Sequence, residues 1–492
     1  MPPLLSCARP DAGAAYDASR ISPRSRSSAA LLAAGLACSC TPQSAPSDEA
    51  EGPFTPPNVV LISLDTLRSD HVSSYGYGRE TTPHLDALAA RGFLYENCYS
   101  GAPWTLPSHI TMLTGLYTDQ HRVTVDRRAL SPDIPTLAET FQEAGYQTHG
   151  LHHPGWIHER HGFGRGFDIF ASHRGVEAAT EHLDVMFDER NDQPWFLFLH
   201  LFDIHSAPID STSRWIYRSP ADGRDRFLEG ASEQFEPGDA EALWSGSRKA
   251  TEAQIEALVA LYDAGIFYVD SQVHGWMQRF EQEGVLDPGI LVITSDHGES
   301  LGQRDGHFPD HGWLYEEGLR VPLIIYRGDA EFAPRRVTES VHHVDLAPSL
   351  FEVARIEIPD YLPGRSLFGE IPSEVRTFSA SYQRYQARLR FPDKVVRSTH
   401  PAREGYYTDL SQDPGELNPL PESDPSFEQR AAELDAAFER EIAGLTLPGD
   451  GPLSIDPRMG QEELQQLRAL GYAEQIPESP GSGDVQDIND PR

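Results

Sequence analysis

Apolar runs that end in acidic or imidazole side chains recur along the chain. They are NVVLISLD at 58–65, PWFLFLHLFDIH at 194–205 and GILVITSDHG at 289–298, and VPLIIY at 321–326 is a further apolar run. A short run without polar alternation is typical of a parallel strand buried on both faces, with its first charge at the carboxyl end. The pattern therefore predicts strands of one buried sheet.

Helical patterns lie between these strands, and the clearest covers residues 255–280. Its apolar positions recur at mostly three- or four-residue steps, which predicts one face toward the core. These positions are Leu258, Tyr262, Val269, Val273, Trp276 and Phe280. Alternating strands and helices predict an α/β layered fold with a central, largely parallel sheet between helices. From 375 to 445 short strands precede a helix, which predicts a smaller C-terminal α+β subdomain.

The strand ends carry the candidate chemistry. Ligands of α/β sheets bind beyond the carboxyl ends of the strands, so these five side chains are predicted to converge: Asp65, Asp203, His205, Asp296 and His297. Clustered carboxylates favour calcium or magnesium, whereas His297 moves the preference toward zinc or manganese. A single aspartate at a strand end usually caps a helix or turn. Three of them with histidine indicate a functional site.

The segment PWTLPSHITMLTG at 103–115 predicts a short helix that Gly115 ends. Thr105 is predicted to be its N-cap, with Pro107 tolerated in the first turn. A helix N-terminus stabilises negative charge, so a hydroxyl placed there beside a cation can ionise and attack an ester. The alternative interpretation is a capping threonine without a chemical role.

The charge and the cysteines restrict the classes of partner. A formal charge of −35 argues against nucleic acid, whose phosphates require a basic surface. Four cysteines have no spacing typical of a metal knuckle or a disulfide framework.

The first forty residues carry the pattern of an export signal. Arg24 and Arg26 precede SSAALLAAGLACSC, an apolar run too short to cross a bilayer. Cys38 follows Leu-Ala as at a bacterial lipoprotein cleavage site, although Gly35 stands where leucine is usual. We expect export to the periplasm or outer membrane, with membrane contact only through this lipid anchor. The alternative is a disordered tail rich in alanine and serine.

Several ordered segments resemble the sulfatase branch of the alkaline phosphatase superfamily. SLDTLRSDHVSSYGYGRETTPHLDALAARGFLYENCYS resembles the opening strand and helix, and TLPSHITMLTGLYTDQHRV resembles the Cys/Ser-x-Pro-Ser-Arg segment. DHGESLGQRDGHFPDHGWLYEEGLRVPLII, HHVDLAPSLFEVARIEIPDYLPGRSL and GYYTDLSQDPGELNPL resemble later landmarks, and LRALGY at 467–472 resembles a common ending. The resemblance spans residues 55–475 and implies an alkaline phosphatase-like fold.

The resemblance also implies roles for individual residues. Asp65, Asp296 and His297 fall on metal ligands, and Thr105 falls on the nucleophile and would complete the metal shell. The family has a second aspartate where this chain has Thr66.

Four further histidines fall on active-site positions of the family. His121 corresponds to the histidine after the nucleophile helix, and His205 to one that contacts the ester group. His109 replaces an arginine and His311 a lysine. His109 has two interpretations, a donor to the ester oxygens or a satisfied surface histidine.

One divalent metal, calcium, manganese or zinc, is therefore predicted. A second metal is an open alternative. Two-metal members of the superfamily use an extra set of one aspartate and two histidines, and Asp203, His205 and His311 are residues of these types. Their Asp-x-His spacing differs from the usual Asp-x-x-x-His.

Thr105 is the largest departure from the family. Sulfatases convert Cys or Ser to formylglycine, whereas threonine would give a ketone. In phosphodiesterase relatives a threonine alkoxide is the nucleophile. We predict a hydrolase of sulfate or phosphate esters that acts on a small-molecule, glycan or lipid ester. The alternatives are a phosphodiester or phosphonate hydrolase, a headgroup phosphotransferase of the cell envelope, and a catalytically dead binding protein.

Four segments are predicted along the chain. Residues 1–57 form an export signal and tether, and residues 58–372 form the catalytic domain. Residues 373–475 form the C-terminal subdomain, and residues 476–492 form a disordered tail.

Overall fold

The computed structural model describes most of the chain after residue 53. The described residues are 54–124, 128–206, 217, 220, 223–244, 247–302, 304, 313–328, 333–369, 376–382, 384–400, 403–449 and 453–454. The predicted export signal, His311, the LRALGY ending and the predicted tail lie outside them. Among the described helices, none is both long enough and apolar enough to span a membrane.

The described strands form a large sheet, a smaller sheet and a two-stranded sheet of Arg128–Ala129 and Leu453–Ser454. In chain order they are β1 (Asn58–Leu64), β2 (Phe93–Tyr99), β3 (Arg128–Ala129), β4 (Gln147–His152), β5 (Ile169–Ser172), β6 (Trp195–Leu201), β7 (Gly289–Thr294), β8 (Arg320–Arg327), β9 (Arg335–His342), β10 (Phe378–Tyr382), β11 (Tyr385–Arg390), β12 (Asp393–Ser398), β13 (Tyr406–Asp409), β14 (Leu420–Pro421) and β15 (Leu453–Ser454). The large sheet has the order β5-β4-β6-β1-β7-β8-β2-β9. Only β8 runs antiparallel to its neighbours, so the prediction of a largely parallel sheet is confirmed.

Helices cover both faces of this sheet. The described α-helices, in chain order and including those outside this sheet, are α1 (Pro83–Ala89), α2 (Thr105–Thr114), α3 (Thr118–His121), α4 (Leu137–Glu143), α5 (Val176–Asp188), α6 (Asp239–Trp244), α7 (Glu252–Gln282), α8 (Glu316–Leu319), α9 (Leu346–Ala354) and α10 (Phe427–Glu441). Alternate residues of β1 enter opposite cores: Val59 and Leu61 pack in the core that includes α2 and α9, and Val60 and Ile62 in the core that includes α7. Both faces of the central strand are therefore apolar, which explains the unbroken apolar runs.

The predicted helix over 255–280 is confirmed within α7, and all six residues of its apolar stripe are buried. The prediction for Thr105 is wrong by one position. Trp104 is the N-cap of α2, and Thr105 is its first helical residue. Gly115 ends α2 in the left-handed conformation, with φ 72°, as predicted.

The smaller sheet has the antiparallel order β10-β11-β12-β13-β14. Helix α10 packs on it through Phe427, Ala431, Leu434 and Phe438. This confirms the predicted C-terminal α+β subdomain. Its boundary near residue 373 stays a prediction.

Candidate active site

Three of the five strand-end residues form one buried group. The register pairs Ser63 of β1 with His200 of β6 on one side and with Thr294 of β7 on the other. The residues that follow β1 and β7 therefore meet at the same sheet edge. Ligand atoms of Asp65, Asp296 and His297 all lie within 4.8 Å of one another, and we call these three residues the metal cluster.

Each carboxylate of the metal cluster has one oxygen held by the protein. Asp296 Oδ1 accepts hydrogen bonds from the backbone N–H of His297 at 2.8 Å and of Thr66 at 3.3 Å. Asp65 Oδ2 lies 2.9 Å from His200 Nε2. The other oxygens, Asp65 Oδ1 and Asp296 Oδ2, accept no hydrogen bond from any described residue. A buried carboxylate oxygen without a donor is costly unless a cation contacts it.

The tautomer of His297 also suits a ligand. Its Nδ1 lies 2.8 Å from the carbonyl of Gly298, which can only accept, so Nδ1 carries the proton. The basic Nε2 lies 3.4 Å from Asp296 Oδ2 and 3.8 Å from Asp65 Oδ1. A basic nitrogen therefore faces the same space as the two carboxylate oxygens.

The electrostatics of the metal cluster favour a cation. Burial raises the pKa of Asp65 well above its usual range, repulsion from Asp296 and Glu299 raises it further, and the nearby Thr105 hydroxyl opposes the rise. Bringing a divalent cation among these groups would remove the repulsion. Two carboxylate oxygens and one imidazole nitrogen thus fit a divalent metal. That these residues are its ligands stays a prediction.

Thr105 lies beside this cluster at the first position of α2. Its Oγ1 is 3.4 Å from His297 Nε2. Among the described residues, this hydroxyl makes no hydrogen bond to the backbone of α2. The hydroxyl is therefore directed to the sheet edge rather than to the backbone of its own helix. The residue is buried, with 4% exposure.

Thr66, directly after Asp65, has a strained backbone. Its φ is 60°, an uncommon value for a β-branched residue. This conformation allows its N–H to reach Asp296 Oδ1. The residue in the family's second aspartate position thus orients a ligand through its backbone.

His109 is fully buried, so the surface interpretation of this residue is wrong. Its Nδ1 donates to the Thr105 carbonyl at 2.8 Å, which leaves Nε2 to accept from Ser63 Oγ at 3.0 Å. Burial lowers its pKa, although Asp296 opposes the shift. His109 therefore ties α2 to β1 directly beneath Thr105.

The other predicted residues lie in different environments. His121 contacts Thr111 Oγ1 at 3.1 Å and accepts from the Val123 N–H, which ties it to α2. Asp203 Oδ1 accepts from the Val176 N–H at 3.2 Å, so this carboxylate contacts the start of α5. Neither belongs to the metal cluster.

His205 is buried and stacks on Phe202, with ring centroids 4.0 Å apart. Its Nδ1 lies 2.6 Å from the Ser206 carbonyl, so Nδ1 is protonated and Nε2 is the basic nitrogen. Burial, and then the proximity of His297, lower its pKa well below the usual value. His205 is therefore a neutral base near the metal cluster.

Two residues of this site were missed from the sequence. His200 holds Asp65 Oδ2, and its Nδ1 accepts from the His153 N–H, so the proton on Nε2 points to the carboxylate. Glu299 accepts hydrogen bonds from Ser206 and Tyr217, and burial raises its pKa to about 7. The sequence contains a sign of the role of His200, because this polar residue interrupts the apolar run at 194–205.

Comparison with known families agrees with this geometry. A model of the family described as sulfatase matches residues 57–356. The chain belongs to the sulfatase family. A second model, described as the C-terminal part of N-sulphoglucosamine sulphohydrolase, matches residues 305–443.

Similar proteins cover nearly the same length. An arylsulfatase of Clostridium perfringens is 23% identical over 467 residues, covering 79% of this chain and 95% of the relative. A protein solved with its substrate D-glucosamine-2-N,6-O-disulfate has a TM-score of 0.61 and 20% identity, covering 79% and 98% of the two chains. The phosphonate monoester hydrolase of Agrobacterium radiobacter also gives 0.61 and 20%, with 82% and 100% covered.

These findings establish an alkaline phosphatase-like α/β fold and a sulfatase-family hydrolase. The similar structures are too distant in sequence to assign a substrate. The chemistry of this member therefore has to be argued from its own residues.

Proposed function

We propose that this protein hydrolyses phosphate diesters or phosphonate monoesters with Thr105 as the nucleophile, and that aryl sulfates are poorer substrates. The observation that carries the proposal is the position of Thr105 Oγ1, 3.4 Å from His297 Nε2 at the start of α2. A hydroxyl at a helix N-terminus and beside a divalent-metal site is placed to ionise.

The first half of the reaction forms a covalent enzyme. Thr105 Oγ attacks phosphorus, the Oγ–P bond forms, and the P–O bond to the alcohol breaks. The proton of the Thr105 hydroxyl goes to the departing oxygen, which leaves as the alcohol. The bound cation would supply positive charge that lowers the pKa of the hydroxyl and offsets charge on the ester oxygens. The N-terminus of α2 favours the same negative charge.

The second half releases the product. Water attacks phosphorus, the Oγ–P bond breaks, and Thr105 regains a proton. His205 is the candidate to take the proton of this water, because burial keeps its ring neutral and its Nε2 can therefore accept a proton. The phosphorus atom that Thr105 attacked first can be attacked a second time, by water.

Sulfate esters are expected to react more slowly. Formylglycine releases sulfate when its hydrate collapses to an aldehyde, and threonine cannot follow that route. A sulfated threonine would have to be hydrolysed directly at sulfur. Phosphonate monoester hydrolysis by a protein of the same fold supports the substrate class proposed here. We further propose that the ester is carried by a small molecule or a glycan, as in the disulfated sugar bound by another relative.

Substitution of Thr105 tests the nucleophile. Thr105→Ala should lower kcat about a thousandfold or more, because the attacking oxygen is lost, while metal affinity measured by calorimetry largely persists. Thr114→Ala is the matched control, since Thr114 lies at the other end of α2 and bonds only locally, to the Ile110 carbonyl and the Leu116 N–H. Full activity of Thr105→Ala would exclude covalent catalysis by this residue.

A substrate panel tests the ester class. We expect the metal-loaded wild-type protein to have a higher kcat/KM for bis(4-nitrophenyl) phosphate and a phenylphosphonate monoester than for 4-nitrophenyl sulfate. Thr105→Cys, produced together with a formylglycine-generating enzyme, should gain sulfatase activity. A wild-type preference for the sulfate ester would contradict the proposal.

A further inference from the structure

A cluster of aromatic and cationic side chains lies where α8 approaches the C-terminal sheet. Trp313 contacts Tyr385, with ring centroids 5.1 Å apart, and Tyr385 stacks on His400 at 5.9 Å. The guanidinium of Arg403 lies 3.6 Å from the centre of the Trp313 ring. We call Trp313, Tyr385, His400 and Arg403 the Trp313 cluster. Its three rings are half-buried and Arg403 is exposed.

Arg403 differs from the other closely stacked arginine nearby. Arg304 lies 3.5 Å from the Tyr315 ring, and its donors are used by Glu317 and by the carbonyls of Gly415 and Glu416. The guanidinium of Arg403 makes no hydrogen bond or ion pair with the described residues. Stacking holds its plane without using its N–H groups. It is therefore a pre-oriented donor.

The Trp313 cluster is connected to the active site on two sides. The Trp313 carbonyl and the Pro103 ring both lie against Gly318, whose own carbonyl accepts from the N–H of Gly298, next to His297. On the other side, Tyr385 pairs with Tyr382 of β10, and Tyr382 stacks on Trp104, with ring centroids 5.2 Å apart. Trp104 directly precedes Thr105. The contacts on both sides thus end within two residues of Thr105 or His297. Pro103 and Trp104 precede Thr105, and Gly298 follows His297.

The overall negative charge of the protein bears on which groups this cluster can bind. With a formal charge of −35, the molecule as a whole repels anions. Tyr385 lies near a second exposed arginine, Arg384, and both arginines lower its pKa, although burial dominates and raises it. Two arginines therefore lie beside an aromatic surface.

We propose that the Trp313 cluster is a substrate-binding site for the part of the substrate that is not cleaved. Arg403 binds a carboxylate, sulfate or phosphate group on that part, and Trp313 and Tyr385 contact the sugar ring that carries it. This inference rests on the proposed ester hydrolysis and specifies its substrate as an anionic glycan. A planar guanidinium binds such oxyanions through two parallel hydrogen bonds, which a lysine cannot reproduce.

Binding of a defined oligosaccharide tests the site without turnover. The probe is a heparin tetrasaccharide, which carries an anionic group on every sugar, and the neutral comparison is maltotetraose. Calorimetry on the metal-loaded full chain should detect the heparin fragment and not maltotetraose. Arg403→Ala should weaken heparin binding about tenfold or more, the expected effect of losing a charge-assisted contact. Arg403→Lys should recover only part of that loss.

Two controls separate the site from general electrostatics and from folding. Arg430→Ala removes an arginine that stacks on Tyr407, 4.1 Å from the ring centre, in the same subdomain, and should leave heparin binding unchanged. Trp313→Ala should weaken binding as Arg403→Ala does, because the guanidinium loses its support. Thermal melting checks that each variant is folded.

The outcomes distinguish this inference from the proposed hydrolysis. Equal binding by the wild type and Arg403→Ala, or equal losses for Arg403→Ala and Arg430→Ala, would overturn the substrate-binding site even if aryl esters are hydrolysed. Selective loss in Arg403→Ala supports the site even if the Thr105 experiments fail.

Discussion

His200 determines which oxygen of Asp65 faces the metal cluster. The His153 N–H occupies Nδ1, so Nε2 donates to Asp65 Oδ2 and leaves Oδ1 for the cation. A hydrogen-bonded group behind a metal ligand fixes the orientation of that ligand. His200 is therefore a positioning residue rather than a ligand.

Replacing His200 should weaken metal binding. His200→Leu should lower the affinity for the divalent metal roughly 10–100-fold, and His200→Gln, which keeps a donor, should lower it less. The measurement is calorimetric metal titration. The control is His149→Leu on β4, a buried histidine whose ring nitrogens bond to no described residue. Equal affinity in His200→Leu and the wild type would show that Asp65 needs no such support.

Helix α8 connects the C-terminal subdomain to the active site through a buried charge triad. Lys394 of β12 lies 3.1 Å from Glu316 and 3.0 Å from Glu416, and it is fully buried. Burial raises the pKa of Glu416 to about 7, although Lys394 opposes the rise. The Gly318 carbonyl of the same helix accepts from Gly298, so the triad helps to hold the strand end that carries His297.

Removing the buried cation should destabilise the protein. Lys394→Met leaves the buried Glu416 carboxylate beside the half-buried Glu316 without a cation, which should cost about 3–5 kcal/mol in the free energy of unfolding. Urea denaturation measures this change. Lys249→Met is the control, because Lys249 is exposed and is the other lysine of the chain. Adding Glu416→Gln to Lys394→Met should restore part of the loss. Without any loss in Lys394→Met, the triad has no structural role.

Buried histidines give the whole protein a defined dependence on pH. Burial lowers the pKa of His121, His342 and His343 to about 3, and of His149, His152 and His173 to about 4. Below pH 6.5 the unfolded chain binds these protons and the folded chain does not, so acid favours unfolding. Outside the metal cluster, the pKa values of Asp270, Glu299 and Glu416 are raised to about 7 and act in the opposite direction.

The histidines outnumber these carboxyls, so stability should fall as the pH falls from 6.5 toward 4.5. The free energy of unfolding should fall by about 1.4 kcal/mol per pH unit for each buried histidine that is not offset by one of these carboxyls. Urea midpoints at pH 7.5, 6.5, 5.5 and 4.5 measure it. His121→Phe should reduce the slope. A constant or rising midpoint over this range would show that the imidazoles charge without unfolding.

The local pattern of the chain was sufficient to predict the strands of the large sheet named below and the three residues of the metal cluster. Apolar runs predicted β1, β6, β7 and β8 because a strand buried on both faces tolerates few polar residues. Their carboxyl ends predicted Asp65, Asp296 and His297, since strand ends of a parallel sheet meet at one edge.

Other features depended on contacts between distant segments. The reversed direction of β8, the bond between His200 and Asp65, and the burial of His109 arise from strand neighbours that no local pattern specifies. Helix α2 begins at Thr105, one residue before the predicted start, and the Thr105 hydroxyl contacts His297, which is far along the chain. Periodicity reports which face of an element is buried, whereas the partner of each polar group depends on which elements pack against it.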